Sequence, residues 1–248
     1  MTHAQIIASE LGLAESRVAA AIELIDEGNT IPFIARYRKE ATGSMDDGAL
    51  RTLGERLEYL RKLDAQKQTV RASIEEQGKW TDELASALEN AKTLAEVEDI
   101  YRPYRPKRKT RASIARAKGL EPLAKRLLEQ RTGDDPRALA KEYVTDEVPD
   151  EDAALAGARD IIAEDVSDSA SLRTTLRSLY RNTGMIESKA AKPEEKSVYE
   201  GYYDYAEPVA KAAGHRVLAL DRGEREGFLK VSITVDSARA AEMCERRF

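Results

Sequence analysis

Cysteine occurs once in the 248 residues, at Cys244, and histidine twice, at His3 and His215. A single cysteine excludes an intrachain disulfide and a zinc knuckle, and it fits a reducing compartment. The histidines are far apart and neither has a second ligand at helical spacing, so both read as surface or part-buried side chains. Cys244 has Arg246 and Arg247 as its electropositive neighbours, too little to prepare a thiolate nucleophile. The phosphate loop G-x-x-x-x-G-K-[ST], the dinucleotide turn G-x-G-x-x-G after a strand and the elbow G-x-S-x-G are all missing. The sequence therefore implies no catalytic residue, no metal, no cofactor and no small-molecule substrate, and the chain is not expected to be an enzyme. No apolar run approaches the roughly 20 residues that span a bilayer. The opening MTHAQIIASELG lacks the charged, apolar and small-residue succession of a secretory signal. A cytoplasmic location without a membrane partner is expected.

Aromatic residues are scarce at 6%, whereas charged residues reach 34% and hydrophobic ones 42%. The excess of Ala, Leu, Glu, Arg and Lys favours helices, because such side chains lose little rotamer freedom there. The length allows one large domain or two small ones, either with a sizeable core. The net charge of −5 excludes a polycation, so any nucleic-acid contact must come from a local basic patch.

Short helical units open the chain. Ile6, Ile7 and Leu11 share a face ended by Gly12, and Val18, Ile22 and Ile25 recur in 15–27 before Gly28. Pro32 suits the first turn of a third helix that continues through Phe33 to Lys39. Three short helices with tight turns have a helix-turn-helix arrangement, a common pattern. Residues 45–77 form the longest regular element, striped by Leu50, Leu53, Leu57 and Leu60, with Val70 and Ile74 later. The phase break between Leu60 and Val70 argues for a core stripe over a coiled-coil seam. Thr93 and Glu96 have the spacing of a capping box, and further helices follow near 81–91, 93–101, 151–166 and 169–181. Residues 146–152 form an exposed acidic link and 189–196 a polar linker. Arg216–Leu220 and Phe228–Val235 read as two strands of a β-hairpin, with Gly223 and Gly227 at the turn. Residues 237–248 read as a helix running to the last residue without a cap, as in a fragment.

The acid clusters Asp46-Asp47, Asp134-Asp135, Asp150-Glu151-Asp152 and Glu194-Glu195 sit beside turns and helix starts. There they cap backbone donors and favour the helix dipole, rather than surround metals. One stretch stands out. YRPYRPKRKTRASIARAK, from Tyr101 to Lys118, carries Arg102, Arg105, Lys107, Arg108, Lys109, Arg111, Arg116 and Lys118 with no acid among them. Two readings stand for it. It is a solvated structural loop, or an arm whose cations release counterions from phosphates while Tyr101 and Tyr104 stack on bases. Arg36, Arg38 and Lys39 form a smaller cluster, read either as the polar face of a short helix or as a direct contact.

GNTIPFIARYRKEATG (28–43) and EVEDIYRPYRPKRKTRASIARAKGLEPLA (96–124) closely resemble the N-terminal region of the Tex family of bacterial transcription accessory proteins. ALAGARDIIAEDVSD (154–168) and HRVLALDRGEREGFLKVSI (215–233) are similar to later landmarks of that region, in the same order. The resemblance implies a mostly helical, non-catalytic piece of a multidomain nucleic-acid-binding protein, similar in layout to the core of a eukaryotic elongation factor that acts with RNA polymerase. In that family an RNase H-like YqgF domain, helix-hairpin-helix elements and an OB-type RNA-binding domain follow, and none of them is expected within these 248 residues.

The expected fold is mainly α, a multi-helix bundle with a helix-turn-helix-like part and one C-terminal β-hairpin. Residues 1–188 would form a Tex-like helical domain, its helix-turn-helix-like part near 111–145. Residues 189–248 would carry a helix, the hairpin and a truncated connecting helix leading to absent domains. The expected partners are RNA or DNA. The alternative is a protein-docking scaffold for RNA polymerase, other transcription factors or the absent domains, using the IPFIARYRKEATG face or the leucine-striped helix.

Overall fold

The computed structural model describes residues 1–106 and 109–246, and these divide into two compact units, Met1–Tyr101 and Arg102–Phe248. Among the described residues there are fourteen α-helices and three strands.

The first unit is helical throughout: α1 (His3–Leu11), α2 (Glu15–Asp26), α3 (Ile31–Tyr37), α4 (Lys39–Thr42), α5 (Asp47–Glu76), α6 (Asp82–Asn90) and α7 (Leu94–Tyr101). Side chains placed just ahead of several helices start them. Thr2 and Gln5 form a capping box on α1, and Asp46 accepts from the Ala49 N–H at 2.7 Å. The Thr93–Glu96 box is present, with Glu96 N–H donating to Thr93 Oγ1 and Thr93 N–H to Glu96 Oε2, both at 3.2 Å. Gly12 ends α1 at φ +66°, a left-handed position that a glycine takes without a Cβ penalty. The leucine stripe of α5 is core: Leu50, Leu53, Leu57 and Leu60 are buried with Ile7, Val18, Ala21 and Ile34. The stripe is thus core, as its phase break implied, and only the other faces of α5 are open to a partner.

The second unit begins with a 3-10 turn, Arg102–Tyr104. Then come α8 (Arg111–Ala117), α9 (Glu121–Leu128), α10 (Pro136–Lys141), α11 (Glu151–Asp168), α12 (Ala170–Thr183), β1 (Met185–Ala190), β2 (Asp204–Pro208), α13 (Gly214–Arg225), β3 (Leu229–Thr234) and α14 (Ser237–Glu245). Ala112, Ala115, Leu120, Leu123, Ala154, Ala158 and Ile161 join α8, α9 and α11 in one core. Asp150 and Ser169 cap α11 and α12, and Asp135 caps α10 ahead of Pro136.

The sheet differs from the expected hairpin. It has three antiparallel strands in the order β2-β1-β3. Residues 216–220 are helical, inside α13, which buries Leu220 and Gly223 with Leu229 and Tyr199 and leaves Val217 and Leu218 exposed. A β-carbon at Gly223 would lie 2.6 Å from Leu229 Cδ1, so this glycine permits close helix-on-strand approach rather than a turn. Gly227, at φ +79°, makes the turn between α13 and β3. The boundary expected at 188/189 falls inside β1, where Ser188 pairs with Tyr205 and Val231 and Lys189 with Asp204 and Lys230. A division there would cut the sheet. The expected linker is also tied down at its start, since Ala191 N–H donates to Phe228 O at 2.8 Å.

Candidate nucleic-acid interface

The basic run opens the second unit, and among its described cations Arg102, Arg111 and Arg116 pair with acids of one helix, α11. Thr110 caps α8 by a reciprocal box with Ser113 and also donates to Glu164 Oε1 at 3.0 Å. This sets α8 along α11. Arg102 Nε then reaches Asp168 Oδ1 at 2.8 Å, and that carboxylate is buried. Arg116 holds two acids, Glu164 at 2.5 Å and Asp165 at 2.6 Å. Arg111 pairs loosely with Asp160 at 3.4 Å, and Lys118 donates to the Glu147 carbonyl at 2.7 Å. Asp160, Glu164 and Asp168 lie four residues apart, one acidic stripe along α11 facing the run. The field between them is coupled: burial pushes the Asp165 carboxyl up, Arg116 opposes that, and Glu164 adds to it.

These pairs differ in how readily phosphate replaces them. An exposed ion pair contributes ~0–1 kcal/mol, so the 3.4 Å contact of Arg111, whose side chain is 86% exposed, is easily exchanged. Arg116 between two carboxylates, and Arg102 on a buried one, are structural anchors. Lys109 is exposed, as is Arg105. Lys107 and Arg108 lie outside the described residues. Tyr101 ends α7 in the first unit, where its hydroxyl shares a 2.9 Å hydrogen bond with Ser73 Oγ; Tyr104 is part-buried. The solvated-loop reading of the run thus gains a physical basis. The acids that pair with Arg102, Arg111 and Arg116 come from 42 or more residues downstream of Lys118, a partner signal available in the sequence as the four-residue spacing 160, 164, 168.

The smaller cluster has the opposite character. Arg36, Arg38 and Lys39, at the end of α3 and the start of α4, are all exposed, and none forms an ion pair with a described residue. Arg17 on α2 lies against Gly43, the left-handed C-terminal residue of α4; a β-carbon there would collide with its guanidinium. Phe33 and Tyr37, missed from the sequence as site residues, stand exposed on the same short helix. An i, i+4 aromatic pair beside cations was the available signal.

Among the described residues, no group of three or more His, Cys, Asp or Glu side chains could hold a metal, and no helix is long and apolar enough to cross a membrane. Fold and surface together define a mostly helical protein with a small antiparallel sheet and charged faces. The chain belongs to the Tex-like family: residues 1–75 match the Tex-like protein N-terminal domain and residues 131–248 the Tex central region-like model. It is 46% identical over 247 residues to Protein tex of Bordetella pertussis, covering 97% of this chain and 31% of that one. It is 45% identical over 235 residues to the transcriptional accessory protein Tex of Neisseria gonorrhoeae, covering 94% and 31%. It is 29% identical over 254 residues to human S1 RNA-binding domain-containing protein 1, covering 97% and 25%. The chain spans about a third of the length of the curated relatives it matches.

Proposed function

We propose that the chain is a non-catalytic nucleic-acid-binding scaffold of a Tex-like transcription accessory protein. The observation that carries this reading is the group of exposed cations Arg36, Arg38 and Lys39, which no acid among the described residues neutralises. Free surface cations attract phosphates because each neutralised phosphate releases condensed counterions. Lys109 and Arg111 add a second, weaker contact, since Arg111 must first leave Asp160. The names of relatives, a transcriptional accessory protein and an S1 RNA-binding domain-containing protein, support the same class of partner.

The test is fluorescence anisotropy of the chain with labelled DNA and RNA across a salt series. Affinity should fall linearly with salt on logarithmic axes, and joint charge reversal of Arg36, Arg38 and Lys39 should flatten that slope by about 2. Charge reversal of Lys109 and Arg111 should flatten it less. Absent or salt-insensitive binding would overturn the proposal.

A second reading is a protein-docking scaffold, for RNA polymerase or for further domains. It is favoured by a cavity of about 310 Å³ between α8 and α11, floored by Ile114, Leu120 and Val148 and edged by Arg111 and Asp160. Recovery of a stoichiometric protein from nuclease-treated extract, lost on Ile114→Asp, would support it.

A further inference from the structure

Phe33 and Tyr37 stand one turn apart on α3 with their ring centroids 5.1 Å apart and their planes at 45°. They are 38% and 63% exposed. Burying such rings is worth about 25 cal/mol per Å² of apolar area, so leaving two of them side by side in water gives up stabilisation that the fold elsewhere takes. The Arg38 guanidinium lies 5.9 Å from the Phe33 centroid. The first unit has two other such contacts, Arg56 over Tyr59 at 4.9 Å and Arg71 over Trp80 at 5.4 Å. In both, the arginine is also held by an acid, Arg56 by Glu10 and Arg71 by Glu75. Arg38 has no such partner among the described residues, nor have Arg36 and Lys39. Against these three cations the segment sets one acid, Glu40, and Arg17 approaches at the far end of α4.

We infer that the α3–α4 surface is a stacking site for single-stranded nucleic acid, with unpaired bases on Phe33 and Tyr37 and the backbone phosphates on Arg36, Arg38 and Lys39. This rests on the nucleic-acid reading above and narrows it. Ring faces stack on base faces, and in a duplex those faces are already covered by neighbouring pairs. Rings flanked by unneutralised cations therefore select unpaired strands, and they tolerate any base because every base has a π-face. A protein partner would meet the rings equally well but would need an acidic surface for the cations, and it stands as the opposing outcome.

The experiment uses the whole chain with an oligouridylate, an oligothymidylate and a duplex of matched length, each of about ten nucleotides. Two variants report on the rings. Tyr37→Leu keeps an apolar side chain at an exposed position but removes the π-face. Tyr37→Trp, in a Trp80→Phe background that removes the chain's one tryptophan, places a fluorescent ring at the site. Both single strands should quench the introduced tryptophan on saturation. Tyr37→Leu should weaken single-strand binding about tenfold while leaving duplex binding unchanged. If the chain binds salt-dependently but the tryptophan is not quenched and Tyr37→Leu changes nothing, the stacking site falls and the broader function stands. If the chain binds no nucleic acid at any salt concentration, both fall.

Discussion

Arg216 grips Glu207 with two donors, Nη2 to Oε2 at 2.7 Å and Nε to Oε1 at 3.1 Å, across a carboxylate whose side chain is 10% exposed. The Arg216 hydrogen bond holds the Glu207 carboxyl below the usual glutamate range, burial works against it, and a hydrogen bond from Tyr205 assists. Because the folded value is depressed, the stabilisation is fully present above the ordinary glutamate range and disappears as pH falls through the lowered value. Glu207→Gln should therefore lose stability at neutral pH and lose less than the wild type on acidification. Urea midpoints measured from neutral pH to below the carboxylate range check this; parallel pH curves for the two proteins would refute it. Residues of this kind escape a reading of sequence alone. Glu207 lies within β2 and reaches Arg216 on α13, a strand–helix contact set by tertiary packing, and nothing local to AEPVAK marks it.

Helices were legible wherever a side chain sits ahead of an apolar stripe to start them, as Thr93, Asp135 and Asp150 do. Of the strands only β3 was, inside the expected Phe228–Val235. Met185–Ala190 and Asp204–Pro208 carry Glu, Lys, Asp and Pro, residues depleted in sheets, and β1 buries Ser188 beside Ile186 on its inner face. Arg216–Leu220 misled because a short apolar run has the same content in a helix as in a strand. At the level of helix packing, two glycines give opposite forecasts for one substitution. Gly54 lies within α5, and a β-carbon there would meet Ile31 Cδ1 at an ordinary 3.4 Å. Gly54→Ala should therefore raise stability by up to about 1 kcal/mol through helix propensity. Gly157 lies within α11, where a β-carbon would collide with Leu120 Cδ1 and come within 3.3 Å of Ala115 Cβ, both residues buried. Gly157→Ala should lower stability, since overpacking costs ~1–3 kcal/mol and outweighs the propensity gain. Thermal denaturation of the two variants beside wild type gives the signs directly.

The two units have separate cores, one drawn from Ile7 to Leu60, the others from Ala112 to Ile161 and from Ile186 to Leu229. Residues 1–101 and 102–248 made as separate polypeptides should each show helical circular dichroism and a cooperative urea transition. A molten first fragment would contradict that division. The boundary was hidden in the sequence because it falls inside the most basic stretch, between Tyr101 and Arg102, where composition gives no linker. The candidate interface was legible to the same degree: Arg36, Arg38 and Lys39 were visible as charges, but their lack of acid partners among the described residues, and the pairing of Arg102, Arg111 and Arg116 with α11, are properties of the fold. The sheet has a consequence for time as well as for packing. Helices that carry their own start signals form from neighbours in the chain, on the order of microseconds. The β1–β3 ladder joins Met185 to Thr234 and Ala190 to Leu229, so it closes only after the intervening chain, with α13 inside it, has been gathered. Each doubling of such a loop adds only about 0.6 kcal/mol to its closure, which makes this pairing late without making it fragile. A ribosome must release the residues through Thr234 before that ladder can be completed, whereas every helix of the first unit can already be in place.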